Sequence, residues 1–199
     1  MDLHGKHIIL GSNSPRRREL LKGLDIDFEV DTGNNFEESF GSEIPYGEVP
    51  RLMAQGKSHG FHRPLKDNEI LITADTMVIL PPSGNRPGEI LGKPKDRADA
   101  IRMLRDLSGR KHHVTTAVTL RDQRREESFD VTTEVWFKTL TEEEITYYID
   151  TYKPFDKAGA YAIQEWIGHA GITRIEGSYF NVVGFPVQRV YEALKRFIG

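Results

Sequence analysis

The first candidate for chemistry is the basic segment 12–18, Ser-Asn-Ser-Pro-Arg-Arg-Arg, near the amino terminus. Ser14 is a typical helix N-cap and Pro15 suits the first helical position, so the arginines fall in the first helical turn. A helix N-terminus binds anions through its unpaired N–H groups and its dipole, and guanidinium groups bind phosphate with two parallel hydrogen bonds. The same dipole disfavours arginine there. The segment therefore indicates either a phosphate site or a solvated basic helix start paired with nearby acids.

A second candidate is Asp75, which interrupts the most apolar segment of the chain. Strand alternation places Thr73 and Asp75 on one face and Thr76 on the other. A carboxylate in such a strand must be paired, hydrogen-bonded or metal-bound, because an isolated buried charge is too costly. Asp75 is therefore either a site residue or a structural acid that caps a bulge or a turn.

Loops supply the remaining candidates. Lys93 lies between Gly92 and Pro94, in a turn that presents it rigidly, and it is either a neighbour of Asp75 or simply a turn residue. Glu37 and Glu38 lie in the long polar loop 32–45 and offer the oxygen ligands that a hard divalent cation prefers, although acid pairs in loops are usually just solvated. The chain has no Cys, which excludes a cysteine nucleophile and thiolate zinc sites.

The elements that must position these residues alternate between strands and helices. Helical periodicity and capping residues predict helices that start near residues 15, 46, 97, 142 and 187. Strands are predicted at 7–10, 28–30, 69–80, 89–91, 112–121, 127–138 and 172–175. Apart from that last strand, the segment 154–184 has no clear period. The pattern predicts a mixed α/β fold in one domain, residues 1–199.

Composition narrows the function classes. The chain has 199 residues, 27 Lys and Arg against 30 Asp and Glu, and a formal net charge of -3. It lacks the basic excess of a protein that coats nucleic acid. It also lacks an apolar run of membrane-spanning length and an amino-terminal signal segment, so the expected location is the cytoplasm, with neither nucleic acid nor membrane as a partner.

Six ordered blocks of the chain resemble the Maf family of nucleoside triphosphate pyrophosphatases. The blocks are SNSPRRRELL at 12–21, TADT at 73–76, LGKP at 91–94, LSG at 107–109, FDKAGAYAIQ at 155–164 and GSYFNVVGFP at 177–186. They run nearly from one end of the chain to the other. The resemblance implies an elongated mixed twisted sheet flanked by helices, with two lobes around a central cleft, similar to inosine triphosphate pyrophosphatases.

The same resemblance implies hydrolysis of a nucleoside triphosphate between its α and β phosphates, with a divalent cation, Mg²⁺ or Mn²⁺. Asp75 would be the general base that activates water, and Glu38 would bind the metal with it. The groups that clamp the triphosphate would be Ser12, Arg16, Arg17, Lys57 and Lys93. Such a site fits phosphoryl chemistry, which needs positioning and charge neutralisation more than a covalent nucleophile.

The branch of the family that acts on dTTP and UTP resembles this chain at three further positions: an Arg after Ser-Pro (Arg16 or Arg17, with Arg17 preferred), Thr76 and Gln164. A Gln amide both donates and accepts hydrogen bonds, which suits the edge of a pyrimidine. The chain departs from the family at Gly56, in a helix where Gly costs roughly 1 kcal/mol relative to Ala. Its hairpin tip, residues 81–88, is also longer than in many relatives.

Two other functions remain open at this point. A nucleotide-binding regulator of cell division and septum formation would use the same arginines without turnover, although the presence of Asp75 weighs against it. Nucleic-acid binding through residues 16–18 together with Arg124 and Arg125 is disfavoured by the net charge and by the few interleaved aromatic residues. By analogy with the family, a homodimer is also expected.

Overall fold

The computed structural model describes residues 2–41, 44–84 and 88–199. Parts of the long loop 32–45 and of the hairpin tip 81–88 therefore lie outside the described residues. The elements of the described chain are β1 His7–Leu10, α1 Pro15–Lys22, β2 Phe28–Val30, α2 Val49–His59, β3 Glu69–Leu80, β4 Glu89–Leu91, α3 Arg97–Leu107, β5 Lys111–Arg121, β6 Glu126–Phe137, α4 Glu142–Tyr152, α5 Trp166–Gly171, β7 Ile172–Glu176, α6 Tyr179–Val183 and α7 Val187–Ile198.

The strands form one mixed sheet in the order β2-β1-β3-β5-β6-β7, with β4 also paired to β3. Strand β1 is parallel to both β2 and β3, so that Ile8 lies opposite Phe28 on one side and Ile70 on the other. Strands β3 and β4 are antiparallel, as are β6 and β7. The predicted mixed α/β sheet with flanking helices is confirmed.

The chain divides into two compact units. The first contains Met1–Asp75, Thr116–Val131 and Gly184–Gly199, and the second contains Thr76–Thr115 and Thr132–Val183. In the first unit, Ile8 and Leu10 of β1 are fully buried in one cluster with Val190 and Leu194 of α7. These α7 residues are four apart, so they lie on one face of the helix and cover the sheet with a continuous apolar stripe.

The second unit has its own core. Leu104 of α3, Ile149 of α4 and Val135 of β6 are fully buried in a single apolar cluster. A ring group of His112, Phe137 and Tyr161 packs edge to face at centroid distances of 5.0–5.5 Å. The His112 side chain is buried, and desolvation lowers its pKa to about 3, so this imidazole is neutral and belongs to the core.

Helix starts agree closely with the sequence because their capping is local. Ser14 accepts a hydrogen bond from the Arg17 amide, and Asp96 accepts one from the Asp99 amide. Thr141 and Glu144 complete a capping box at the start of α4.

Helices α2, α5 and α6 differ from the sequence prediction. Helix α2 begins at Val49 rather than near Tyr46, because residues 46–48 form a turn. Helices α5 and α6 lie in the segment that lacked a period; they have only 6 and 5 residues, too few to repeat an apolar pattern.

No helix among the described residues combines the length and apolar character needed to span a bilayer.

Candidate functional site

Asp75 lies on β3, at a point where the strand is fixed to helix α2. The buried Thr73 hydroxyl donates to the Ala54 carbonyl of α2 at 2.7 Å. Two residues further along β3, the Asp75 carboxylate lies 2.5 Å from the Lys57 ammonium, Oδ1 to Nζ. Both side chains are mostly covered, with 14% of Asp75 and 18% of Lys57 exposed. The strand thus presents its acid directly to a helical lysine.

Helix spacing explains why Lys57 reaches this point. Val49 and Met53 are buried on α2, and Lys57 follows them at the same interval of four residues. Residues four apart share a helix face, so Lys57 extends from the face that packs on the sheet. Its ammonium also lies 3.1 Å from Oε1 of Glu38, whose side chain is 61% exposed. One ammonium therefore joins an acid of the sheet to an acid of the long loop.

The basic segment forms the turn and helix start that its sequence indicates. The Ser12 hydroxyl accepts hydrogen bonds from the Ser14 amide and from Nη1 of Arg17, both at 3.3 Å. Arg17 also donates from Nη1 to the Ala74 carbonyl at 2.9 Å and from Nε to the Gly184 carbonyl at 3.0 Å. Arg17 therefore holds the backbone immediately before Asp75.

Burial has the largest effect on the pKa of Arg17. Desolvation lowers the pKa of its guanidinium, the neighbouring Arg16 adds to the lowering, and Asp75 and Glu38 act in the opposite direction. Arg16 is half-buried in the first turn of α1. The first unit thus brings Ser12 and Arg17 together, and its Lys57 ammonium contacts the carboxylates of both Glu38 and Asp75.

The other predicted residues belong to the second unit. Thr76 is half-buried on β3, Lys93 is exposed just after β4, and Gln164 is exposed in the turn before α5. The amide of Gly159 donates to the Gly92 carbonyl at 3.0 Å and so fixes the turn that carries Lys93. Gly159 has a φ of 68°, a conformation that favours glycine.

The turn that carries Gln164 is held by a polar network that sequence reasoning missed. The Tyr148 hydroxyl accepts from the Ala162 amide at 3.1 Å and donates to the Glu165 carboxylate. Lys157 lies 3.4 Å from the other oxygen of Glu165. Burial, followed by the bond to Glu165, raises the pKa of Tyr148, so its hydroxyl keeps its proton.

The donor set around Lys57 decides whether a metal fits. Across the described residues, no group of three or more His, Asp or Glu side chains is placed to hold a metal ion. Glu38 and Asp75 nevertheless converge on one cationic position, now taken by the Lys57 ammonium. Mg²⁺ is commonly bound by one or two carboxylates together with substrate phosphates and water. The two acids therefore fit a divalent cation that is completed by a phosphate ligand.

Comparisons with known proteins extend over almost the whole chain. The family model described as Maf-like protein matches residues 7–197. The protein named dTTP/UTP pyrophosphatase of Bacteroides thetaiotaomicron is 44% identical over 189 residues, which is 95% of each chain. The protein of the same name from Phocaeicola vulgatus is 48% identical, again over 95% of each chain. Among solved structures, a HAM1 protein from Coxiella burnetii aligns with a TM-score of 0.50 at 15% identity, covering 96% of this chain and 99% of that one, and it supports the fold alone.

Proposed function

Because this chain belongs to the Maf family, we propose that it hydrolyses dTTP and UTP to the nucleoside monophosphate and pyrophosphate. The observation that carries the proposal is the identity of 44–48% to proteins of that activity over 95% of both chains. The cluster of Glu38, Lys57 and Asp75 beside the basic turn supplies chemistry consistent with it.

In the proposed reaction, the oxygen of a water molecule forms a bond to the α-phosphorus, and the bond from that phosphorus to the bridging oxygen breaks. Pyrophosphate leaves with the bridging oxygen, and Asp75 accepts a proton from the attacking water. Carboxylates serve as general bases when they are held within hydrogen-bond reach of the proton they accept. The hydrogen bond from Arg17 to the Ala74 carbonyl fixes the backbone immediately before Asp75.

Positive charge is the second requirement, because the triphosphate carries several negative charges. We propose that Ser12, Arg16, Arg17, Lys57 and Lys93 bind the phosphates. Glu38 and Asp75 would hold a divalent cation, Mg²⁺ or Mn²⁺, which when bound supplies charge neutralisation on the phosphate oxygens. Arg17, Thr76 and Gln164 are the proposed determinants of the base, with the Gln164 amide suited to a pyrimidine edge.

A product assay tests the activity. With Mg²⁺ or Mn²⁺ and dTTP in ¹⁸O-labelled water, the protein should release dTMP and pyrophosphate, with the label in the dTMP phosphate. Release of dTDP and orthophosphate, or label in pyrophosphate, would contradict the proposed bond cleavage. Asp75→Asn should bind dTTP and lose turnover, whereas an active Asp75→Asn protein would refute its role as base. A wild-type protein that binds dTTP without turnover would instead favour the regulator.

Two further proposals concern the whole chain. We propose that both compact units act as one pyrophosphatase domain, which is supported by a family match that runs through both of them. The homodimer expected by analogy stays a prediction. Light scattering coupled to size exclusion tests it, since a dimer has twice the mass of the single chain.

A further inference from the structure

The loop that carries Glu38 rests on a notch in helix α2 made by two glycines. A Cβ atom added at Gly56 would overlap the ring of Phe36, with Cε1 only 2.7 Å away. A Cβ atom at Gly60 would lie 2.7 Å from Cβ of Phe36 and 2.8 Å from its amide nitrogen. Real Cβ atoms do not approach other atoms so closely. Any larger residue at either position would therefore displace Phe36.

The spacing of the two glycines makes the notch continuous. Gly56 lies within α2 and Gly60 is its C-cap residue, four positions later. Residues four apart lie one above the other on a helix face, so the two missing side chains open one groove about a turn long. Glycine in a helix interior is normally unfavourable. The unfavourable residue at 56 is explained by the aromatic ring that occupies its place.

Hydrogen bonds attach the same loop to the same helix. The Asn34 side chain donates to the Lys57 carbonyl at 2.6 Å, and its oxygen accepts from the Phe36 amide at 2.8 Å. The Asn35 amide donates to the Gly60 carbonyl at 2.8 Å. These bonds fix the loop two residues before Glu38, on the helix whose Lys57 ammonium lies 3.1 Å from the Glu38 carboxylate.

We infer that Phe36, Gly56 and Gly60 are positioning residues, which seat the loop so that the Glu38 carboxylate meets the Lys57 ammonium, the same group that pairs with Asp75. The Glu38 side chain is 61% exposed, so burial of its own side chain does little to hold it in place. An exposed ion pair alone holds a flexible side chain weakly, because it must offset the entropy of ordering that side chain. The packing of Phe36 in the notch supplies the missing restraint. This inference rests on the proposed function, in which Glu38 binds the divalent cation.

Gly56→Ala is the primary test, with Gly47→Ala as its matched control, because a Cβ atom at Gly47 meets nothing within 4 Å. We expect Gly56→Ala to raise the Mg²⁺ concentration for half-maximal dTTP hydrolysis at least fivefold and to lower kcat at least tenfold. Gly47→Ala should leave both within a factor of two. A Gly56→Ala enzyme that matches the control in both quantities would overturn the inference.

Two double variants separate positioning from a general loss of structure. In a Glu38→Gln background, Gly56→Ala should change the residual kcat by less than a factor of two, because the carboxylate it displaces is already gone. Phe36→Leu removes the far ring atoms that a Cβ atom at residue 56 would overlap. The double variant Phe36→Leu with Gly56→Ala should therefore have a kcat at least threefold higher than that of Gly56→Ala alone. The inference would be contradicted if Gly56→Ala lowered kcat in the Glu38→Gln background as much as in wild type. It would also be contradicted if Phe36→Leu restored no kcat to Gly56→Ala.

A measurement without turnover keeps the inference distinct from the proposed function. Hydrogen exchange at the Asn35 and Phe36 amides should be at least tenfold faster in Gly56→Ala than in wild type or Gly47→Ala. Unchanged exchange would refute the seating of the loop, whatever the enzyme does. Faster exchange in a protein whose wild type releases no pyrophosphate would leave the seating supported and the proposed function refuted.

Discussion

Replacing Lys57 by Met tests the central ion pair through stability as well as activity. Methionine keeps an unbranched stem of similar length and removes only the charged end. Removing one partner of a buried ion pair costs about 3–5 kcal/mol, because the other charge stays buried and unpaired. The Asp75 side chain is 14% exposed and that of Lys57 18%. An exposed ion pair, such as that between Lys57 and Glu38, contributes about 1 kcal/mol at most. Because Lys57 and Asp75 keep some solvation, we expect Lys57→Met to lower the free energy of unfolding by about 2–3 kcal/mol, between the values for an exposed and a buried pair.

The assay is urea unfolding at pH 7 of wild type, Lys57→Met, Asp75→Asn and the double variant. In a parallel thermal scan, a loss of about 2–3 kcal/mol corresponds to a fall in Tm of about 4–12 °C for a chain of this size. In the Asp75→Asn background, Lys57→Met should cost less than about 1 kcal/mol, because no unpaired carboxylate remains on the strand. Lys66→Met is the control, since its side chain is 76% exposed. Losses that add to within about 0.5 kcal/mol would refute the pairing of the two side chains.

Two further substitutions test stability at low pH and recognition of the nucleobase. The buried Glu69 carboxylate accepts two guanidinium hydrogen bonds from Arg63, and these bonds lower its pKa from 4.5. Its contribution to the free energy of unfolding is therefore full above pH 4.5 and is lost as the pH falls through the lower pKa of the folded state. Glu69→Gln should therefore be less stable than wild type at pH 7, with the gap in urea midpoints narrowing below pH 4.5; a constant gap would contradict this. Tyr148→Phe removes the acceptor of the Ala162 amide and should raise the KM for dTTP severalfold with a smaller change in kcat, whereas Tyr147→Phe, at a residue 49% exposed, should change neither. Equal effects of the two variants would exclude a role for the network in presenting Gln164.

The sequence predicts those parts of the fold whose causes are local. Ser14, Asp96 and Thr141 each cap the helix that follows within three residues, and the amide that each one binds lies inside the same short window. Helix α5 has no such side-chain cap. The Ala162–Glu165 turn before α5 is fixed instead by Tyr148, which is distant in sequence and becomes a neighbour only in the folded chain. Local patterns carry no information about such partners.

The candidate site divides in the same way. The helix start at Arg17 and the acid inside β3 are visible as local anomalies, a costly basic turn and a charge in an apolar strand. The contact between Lys57 and Asp75 joins residues 18 apart that belong to different elements, so it depends on how α2 packs on β3. In the sequence, Gly56 stands out only as a departure from the family pattern. Its spacing of four from Gly60 was the available signal for a groove, but the sequence does not say that Phe36 occupies it.

The carbonyl acceptors of Arg17 explain how a cation that is unfavourable in its own helix is held in one orientation. Its Nε and Nη1 atoms bind backbone carbonyls of Gly184 and Ala74, which orient the guanidinium through their dipoles without cancelling its charge. Desolvation lowers the pKa of Arg17, yet a guanidinium stays protonated in proteins. The helix dipole and burial both disfavour the charge, and the carbonyl oxygens offset part of that cost. A positive field therefore persists at the turn, as the proposed binding of a triphosphate requires, and replacing Arg17 by Lys would keep the charge while losing the fork that spans two carbonyls.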